Sequence, residues 1–278
     1  MNQYKNIWIY LYYTRDNFIF MSKQVTIKKE TVKRLITDVK NIMKSPLTSN
    51  GIYYKHDDED MLKGYALIMG PSETPYAYGN YLFELEYPDD YPHTPPLVKY
   101  CTNGDGIRFN PNLYSSGKVC ISLLNTWAGE QWTSCQTIST VLLTLCSLLN
   151  DTPLLNEPGV KQTHHDYHNY NRIIEYKNID IAIIKMISKK EGIYDPIFDC
   201  FYSIMLENVT KNYFNILDYL DGKIQQNNRV IPVSTSLYHM NVMINYKELH
   251  TNFIHFGNTL GICKHMKSEK SEKAEKIK

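Results

Sequence analysis

The segment YPDDYPHTPP, Tyr87 to Pro96, restricts the fold more than any other stretch of this chain, with four prolines in ten residues. Each proline fixes φ, removes a backbone N–H and drives the preceding residue towards extended conformations, so no helix crosses this segment. The runs on either side must therefore be joined by a rigid, extended turn. YLFELEY, 81 to 87, alternates large apolar residues with acids. That period predicts a strand with Tyr81, Phe83, Leu85 and Tyr87 towards a core and Glu84 and Glu86 towards water. LVKY resumes strand character at 97–100, while IYYK and YALIMG flank the acidic HDDED and read as a hairpin turning at Asp57 to Asp60. The expected architecture is an antiparallel meander.

Helical periodicity brackets these strands. Val32, Leu35, Ile36, Val39, Ile42 and Met43 mark an amphipathic helix that ends near Ser45-Pro46. Ile138, Val141, Leu142, Leu145, Leu148 and Leu149 mark a second, with Thr133 or Ser134 as its cap. After TPLLNEPGV the chain turns helical again, over an Ile-rich stretch near 171–188 and from Asp195-Pro196 to about Leu220. The fold class is therefore α/β of the α+β type. The organisation expected is an extension over 1–24, a mixed domain over 25–160, a helical C-terminal extension over 161–262 and a charged, disordered tail over 263–278. NIWIYLYY, near the start, is interrupted after eight residues, short of the roughly 20 that a membrane span needs. An extra strand or a disordered arm is the expectation there. MSKQVTIKKE, from Met21, looks like an ordinary soluble N-terminus, which makes the residues before it dispensable.

Thirty basic residues against 29 acidic ones give a net charge of +1. That balance lacks the basic footprint of a nucleic-acid binder, and no apolar run calls for a membrane. The six cysteines are scattered without CxxC pairs and without a secretory signal, so they read as reduced thiols in the cytoplasm or nucleus.

One of them has an unusual setting. Cys120 follows Ser115-Ser116-Gly117, a loop able to leave a sulfur accessible, and Asn110-Pro111-Asn112 forms a turn that fixes an amide nearby. A buried, inert thiol is the ordinary fate of a cysteine. An amide beside a thiol has a chemical use, however: if the sulfur carries an acyl group, attack by an amine forms a tetrahedral oxyanion. One donor aimed at such an oxyanion lowers the barrier by about 2.7–4 kcal/mol.

At this point the chain resembles the catalytic domain of the ubiquitin-conjugating enzymes. The resemblance is carried by KRL in the first helix, IMGP at 68–71, TPY at 74–76, Gly79, YPDDYPHTPP, NPN, GKVC, a following Trp and the helix ISTVLLTLCSLL. It implies an N-terminal helix packed on a four-stranded antiparallel meander, with Cys120 in a shallow groove. It also implies that Cys120 accepts ubiquitin as a thioester from an activating enzyme and passes it to a lysine, of a substrate or with a ligase. No metal or cofactor is implied, because ATP is consumed by the activating enzyme. Asn112 looks like the amide that stabilises the oxyanion or supports the loop that does so; a turn residue bonding its own backbone is the plainer alternative. Asn110 stands where many members have histidine. Glu157 is the candidate for the acid that orients the incoming lysine, against the alternative of a plain solvated glutamate.

Other departures concern partners. His93 stands where an apolar aromatic is common, and Thr133-Ser134-Cys135 replaces the usual Ser-Pro-Ala, which weakens the ordinary ligase grip. Lys33 and Arg34 match a pattern used towards activating enzymes and ligases. NTWAGEQW, FNPN, NEPG and YNRIIEYKNIDIAIIKMI resemble the large, extended subgroup. Three rivals stand beside this reading. A non-catalytic scaffold of the same fold would lack the cysteine, and a thiol hydrolase would need a histidine beside Cys120. THHDYH, with His164 and His168 at metal-like spacing, reads better as a solvated helix start. A conjugating enzyme for a ubiquitin-like modifier is not separable by sequence.

Overall fold

The computed structural model describes residues 27–262 of the protein. The extension assigned to 1–24, the tail assigned to 263–278 and Cys263 lie outside the described residues. Helix α1, Lys29–Lys44, precedes strands β1, Ile52–His56, β2, Lys63–Met69, β3, Asn80–Glu86, and β4, Leu97–Tyr100. The four strands pair in chain order, all antiparallel. The expected acidic turn is present: Asp57 Oδ1 accepts the N–H groups of Glu59 and Asp60 at 2.8 and 2.7 Å, closing the β1–β2 connection.

Register places Ile52, Ala66, Ile68, Tyr81, Phe83, Leu85 and Tyr100 on one sheet face, and all are buried. Helix α1 does not use the whole expected stripe, because Met43 is exposed and Asp38 is buried instead. The carboxylate tolerates burial because Tyr91 donates to it at 2.5 Å and Arg34 bridges to it at 3.0 Å. The proline segment is pinned by rings: Tyr91 packs between Tyr87 and Trp132, whose indole N–H donates to the carbonyl of Pro92 at 2.7 Å.

Helix α2, Ile138–Leu148, starts three to four residues later than expected. Its cap is Thr137, whose hydroxyl accepts from Thr140 N–H while the Thr140 hydroxyl accepts from Thr137 N–H, so both orphan donors are satisfied reciprocally. Thr133 and Ser134 remain in the exposed loop before it.

The extension comprises α3, Tyr167–Lys177, a π-helical segment, Asn178–Lys185, α4, Tyr202–Gln226, strands β5, Ile231–Ser234, and β6, Asn241–Ile244, and α5, Tyr246–Thr259. The β5–β6 hairpin is an addition to the helices the periodicity predicts. The extension covers the second face of the main sheet. Leu67 and Leu82, on that face, are buried, and Asn80 donates from Nδ2 to the carbonyl of Ala182 at 2.9 Å. Phe198 sets its ring edge-on to Tyr65, with centroids 5.9 Å apart. Asn178, in the widened segment, accepts from Tyr81 Oη at 2.7 Å and donates to Ala77 O at 2.8 Å. A side chain at Gly79 would collide with this amide, which explains a glycine there.

Candidate active site

The segment from Phe109 to Cys120 folds back on itself beside β4. Tyr114 N–H donates to Lys118 O and Gly117 N–H to Tyr114 O, both at 2.9 Å, while Gly117 O accepts from Tyr100 N–H at 2.8 Å. Gly117 has φ +91°, and a Cβ would press on the Tyr100 carbonyl at 3.1 Å, so the turn requires glycine. This turn returns the chain so that Cys120 N–H meets Asn112 O at 2.9 Å.

Asn112 and Cys120 are therefore brought together. The Asn112 amide donates from Nδ2 to Cys120 O at 2.6 Å. Its alternative role, bonding its own backbone, is not the geometry found: it bonds the loop that carries the cysteine, eight residues on. An amide nitrogen has two hydrogens, so one N–H remains beyond the Cys120 carbonyl. Asn112 Oδ1 is buried without a partner, an orientation fixed because the reversed amide would face oxygen to oxygen.

The sulfur is less open than the loop sequence suggests. Cys120 is 2% exposed. Both its main-chain groups are held by Asn112, and the chain tightens at once into a 3-10 turn, Ser122–Leu124, which draws the residue inwards. Burial disfavours three other thiols as nucleophiles: it pushes Cys101 up to about 12 and raises Cys146 and Cys200 as well.

Asn110, in the place of a common histidine, is a fully buried junction. Its Nδ2 donates to Leu148 O at 2.8 Å and to Tyr76 Oη at 3.0 Å, and its Oδ1 accepts from Asn112 N–H at 3.0 Å and Asn156 Nδ2 at 3.4 Å. One amide thus ties the tripeptide to the end of α2 and to the NEPG turn.

Glu157 ends a 3-10 turn, Pro153–Asn156, next to the Asn156 that reaches Asn110. It is half-buried and not simply solvated: Tyr238 donates to its Oε2 at 2.5 Å. Tyr238 and Arg108 were not singled out by the sequence. The Arg108 guanidinium lies 3.2 Å from the Tyr114 ring centre and 4.8 Å from that of Tyr238, and it donates to Asn110 O at 3.2 Å and Pro111 O at 2.5 Å. RFNPN signals this arginine only by proximity; nothing in sequence ties it to position 238.

The histidines lie elsewhere. His164 and His165 precede α3, so the i, i+4 spacing to His168 falls on no common helix face, and both instead flank Asp166. The loop before α2 is tied to the first helix: Arg34 donates to Ser134 O at 2.5 Å and to Gln136 O, while Lys33 stays exposed. His93 sits 3.4 Å from Glu30 on the surface.

This sheet, tripeptide and cysteine loop coincide with a sequence match to the family described as ubiquitin-conjugating enzyme over residues 34–180, more than half of the chain. The chain belongs to the ubiquitin-conjugating enzyme family. It is 43% identical over 164 residues to ubiquitin-conjugating enzyme E2 Z of Xenopus tropicalis, covering 58% of this chain and 52% of that protein. It is 38% identical over 197 residues to the E2 Z of Danio rerio, covering 70% and 57% respectively. It is also 46% identical over 125 residues to the dual E2 ubiquitin-conjugating enzyme/E3 ubiquitin-protein ligase BIRC6 of Homo sapiens, covering 42% of this chain and 2% of that one. The chain spans about half the length of the E2 Z relatives it matches. Among the described residues no helix is long and apolar enough to cross a membrane.

Proposed function

We propose that this family member is an active ubiquitin-conjugating enzyme in which Cys120 carries ubiquitin as a thioester. The observation that carries the reading is the double tie between Asn112 and Cys120, which fixes Asn112 to both main-chain groups of the residue that bears the acceptor thiol. The Cys120 thiolate attacks the thioester carbonyl presented by the activating enzyme, a new S–C bond forms, and the activating enzyme's thiolate leaves. A lysine amine then attacks the Cys120 thioester, and the remaining Asn112 N–H offers a donor to the tetrahedral oxyanion. Collapse breaks the C–S bond, Cys120 leaves as thiolate, the isopeptide bond forms, and the amine proton passes by way of the Glu157 carboxylate to water.

The partners of this reading are ubiquitin, the activating enzyme and a ligase or direct protein substrate. It needs no cofactor, metal, nucleic acid or membrane, and it places the reduced thiols in the cytoplasm or nucleus. The domain boundaries expected at 25–160 and 161–262 belong to the same proposal.

A charging assay with activating enzyme, ubiquitin and ATP, resolved with and without reductant, tests it. Wild type forms a reductant-sensitive adduct, and Cys120→Ala forms none. Asn112→Ala is expected to lose roughly 10²-fold in discharge to lysine, far more than it loses in charging. Absence of any wild-type adduct with ubiquitin overturns the reading; equal losses at both steps make Asn112 structural.

A further inference from the structure

The hairpin of the extension reaches Glu157 and the arginine bonded to the Asn110-Pro111 carbonyls. Its tip is held from beneath by Asp166, a buried carboxylate that accepts from Ser236 N–H at 3.0 Å, Ser236 Oγ at 2.7 Å and Leu237 N–H at 2.9 Å. Thr235 adds a bond from its hydroxyl to Leu237 O at 2.7 Å, and its N–H closes the loop on Met240 O at 3.0 Å. Above this anchor two consecutive non-glycine residues, Tyr238 at φ 63° and His239 at φ 50°, occupy the left-handed region. Side chains adopt that conformation rarely and at a cost, so it persists where the surroundings over-determine it.

The outcome is a tyrosine aimed at the catalytic half of the chain. Its hydroxyl meets Glu157 Oε2 at 2.5 Å across 81 residues of sequence. Its ring packs edge-on to Tyr170 at 6.0 Å and lies under Arg108, the cation bonded to the carbonyls of Asn110 and Pro111. Burial, reinforced by the carboxylate, holds the phenol well above its ordinary range, so it remains a donor at neutral pH. A packing contact alone would need the ring but not the hydroxyl.

We propose that Tyr238 is a positioning residue for lysine discharge, orienting the Glu157 carboxylate through its hydroxyl, so that the C-terminal extension completes the acceptor side of the site. This rests on the reading of Glu157 as the acid that receives the lysine. A charge-assisted hydrogen bond fixes one carboxylate oxygen and leaves the other for the incoming amine. The amine is a strong base that must shed a proton, whereas hydroxylamine attacks thioesters already neutral at pH 7.

The test uses the full chain loaded with ubiquitin on Cys120, in single-turnover discharge to free lysine and, separately, to hydroxylamine. Tyr238→Phe is expected to slow discharge to lysine roughly five- to tenfold, the loss of one charge-assisted hydrogen bond, while hydroxylamine discharge changes less than about twofold. Glu157→Gln is expected to show the same selectivity, and the double variant to be no slower than Glu157→Gln alone, because the two groups act as one unit. Wild-type lysine discharge by Tyr238→Phe with slow discharge by Glu157→Gln overturns the role of Tyr238 and leaves that of Glu157 standing. Wild-type discharge by Glu157→Gln removes the acid itself, and the inference with it. Parallel losses of lysine and hydroxylamine discharge in Tyr238→Phe overturn the inference by showing a structural role.

Discussion

The four-stranded sheet and the β5–β6 hairpin are both antiparallel, yet they hold their shape by different physics. The main sheet is clad on two faces, by helices α1 and α2 on one side and by the extension on the other, so Leu67, Leu82 and Phe83 are all buried. Fully burying each such side chain contributes about 1.5–3 kcal/mol, which makes the sheet a product of area. The hairpin pairs only four residues on each side and buries Val233, Val242 and Ile244, while Met243 is exposed. Two strands are marginal by themselves. Its tip is held by a few polar anchors, foremost Asp166, bonded to two backbone N–H groups and a hydroxyl some 70 residues away, with Asn169 donating to Ser234 O at 3.1 Å and Tyr238 to Glu157. The sheet is robust and distributed; the hairpin depends on a few polar anchors, one residue away from the Tyr238 that meets Glu157.

The contrast is broken most severely in the sheet. Phe83→Ala is expected to cost about 3–5 kcal/mol of global stability, because the cavity opens between strands and helices, and thermal or urea unfolding would show it for the whole chain. Asp166→Ala is expected to cost about 1–3 kcal/mol, the penalty of leaving the N–H groups of Ser236 and Leu237 without their partner. Hydrogen exchange should then rise across 231–244 while β2 and β3 keep their protection; equal loosening everywhere would make the anchor global.

Acid sharpens the same distinction. Burial by itself would raise Asp166, but the Leu237 N–H and the Ser236 hydroxyl and N–H outweigh it and leave the carboxyl below its ordinary 3.8. A lowered carboxyl contributes stability that is present above 3.8 and lost as pH falls through the lower folded value, so the hairpin should survive to about the ordinary carboxylate range and loosen below it. His56, in the sheet, is held below its ordinary 6.5, chiefly by burial. Its neutral form fits the fold, so that contribution is complete above 6.5 and declines as pH falls. Unfolding measured across pH should therefore weaken the sheet before the hairpin, and His56→Phe should remove the first decline. The smallest effect is expected at Lys55–Asp58, 2.8 Å apart but 36% and 58% exposed. Lys55→Ala should cost less than about 1 kcal/mol, in contrast to the buried carboxylate of the hairpin.

Much of the molecule is legible without coordinates, where the determinants are local. Alternation in YLFELEY, the prolines of YPDDYPHTPP, the acidic turn at Asp57 and the periodicity of α1 and α2 each encode an element within a few residues of themselves. The motif order around Asn112 and Cys120 likewise identifies the family, because the tripeptide and the cysteine are only eight residues apart. The hairpin is not legible in this way. Pro232 lies inside β5, and the connection to β6 carries no Asn-Gly or Asp-Gly pair, so the usual local signals are absent. Asp166 gives no sign in THHDYH that it caps a loop at 236, and Leu82, between Tyr81 and Phe83 on an alternating strand, gives no sign that a later segment will bury it.

What the sequence by itself determined was the meander, the two bracketing helices and the placement of a thiol beside an amide, since period, turn chemistry and short separations carry that information. Only the tertiary structure decided that the second sheet face is covered, that Cys120 is drawn inwards and that Tyr238 meets Glu157. The sheet cover and the Tyr238–Glu157 bond join groups tens of residues apart, and even the short-range ties of Cys120 bury it only when packing, rather than local preference, brings the chain together.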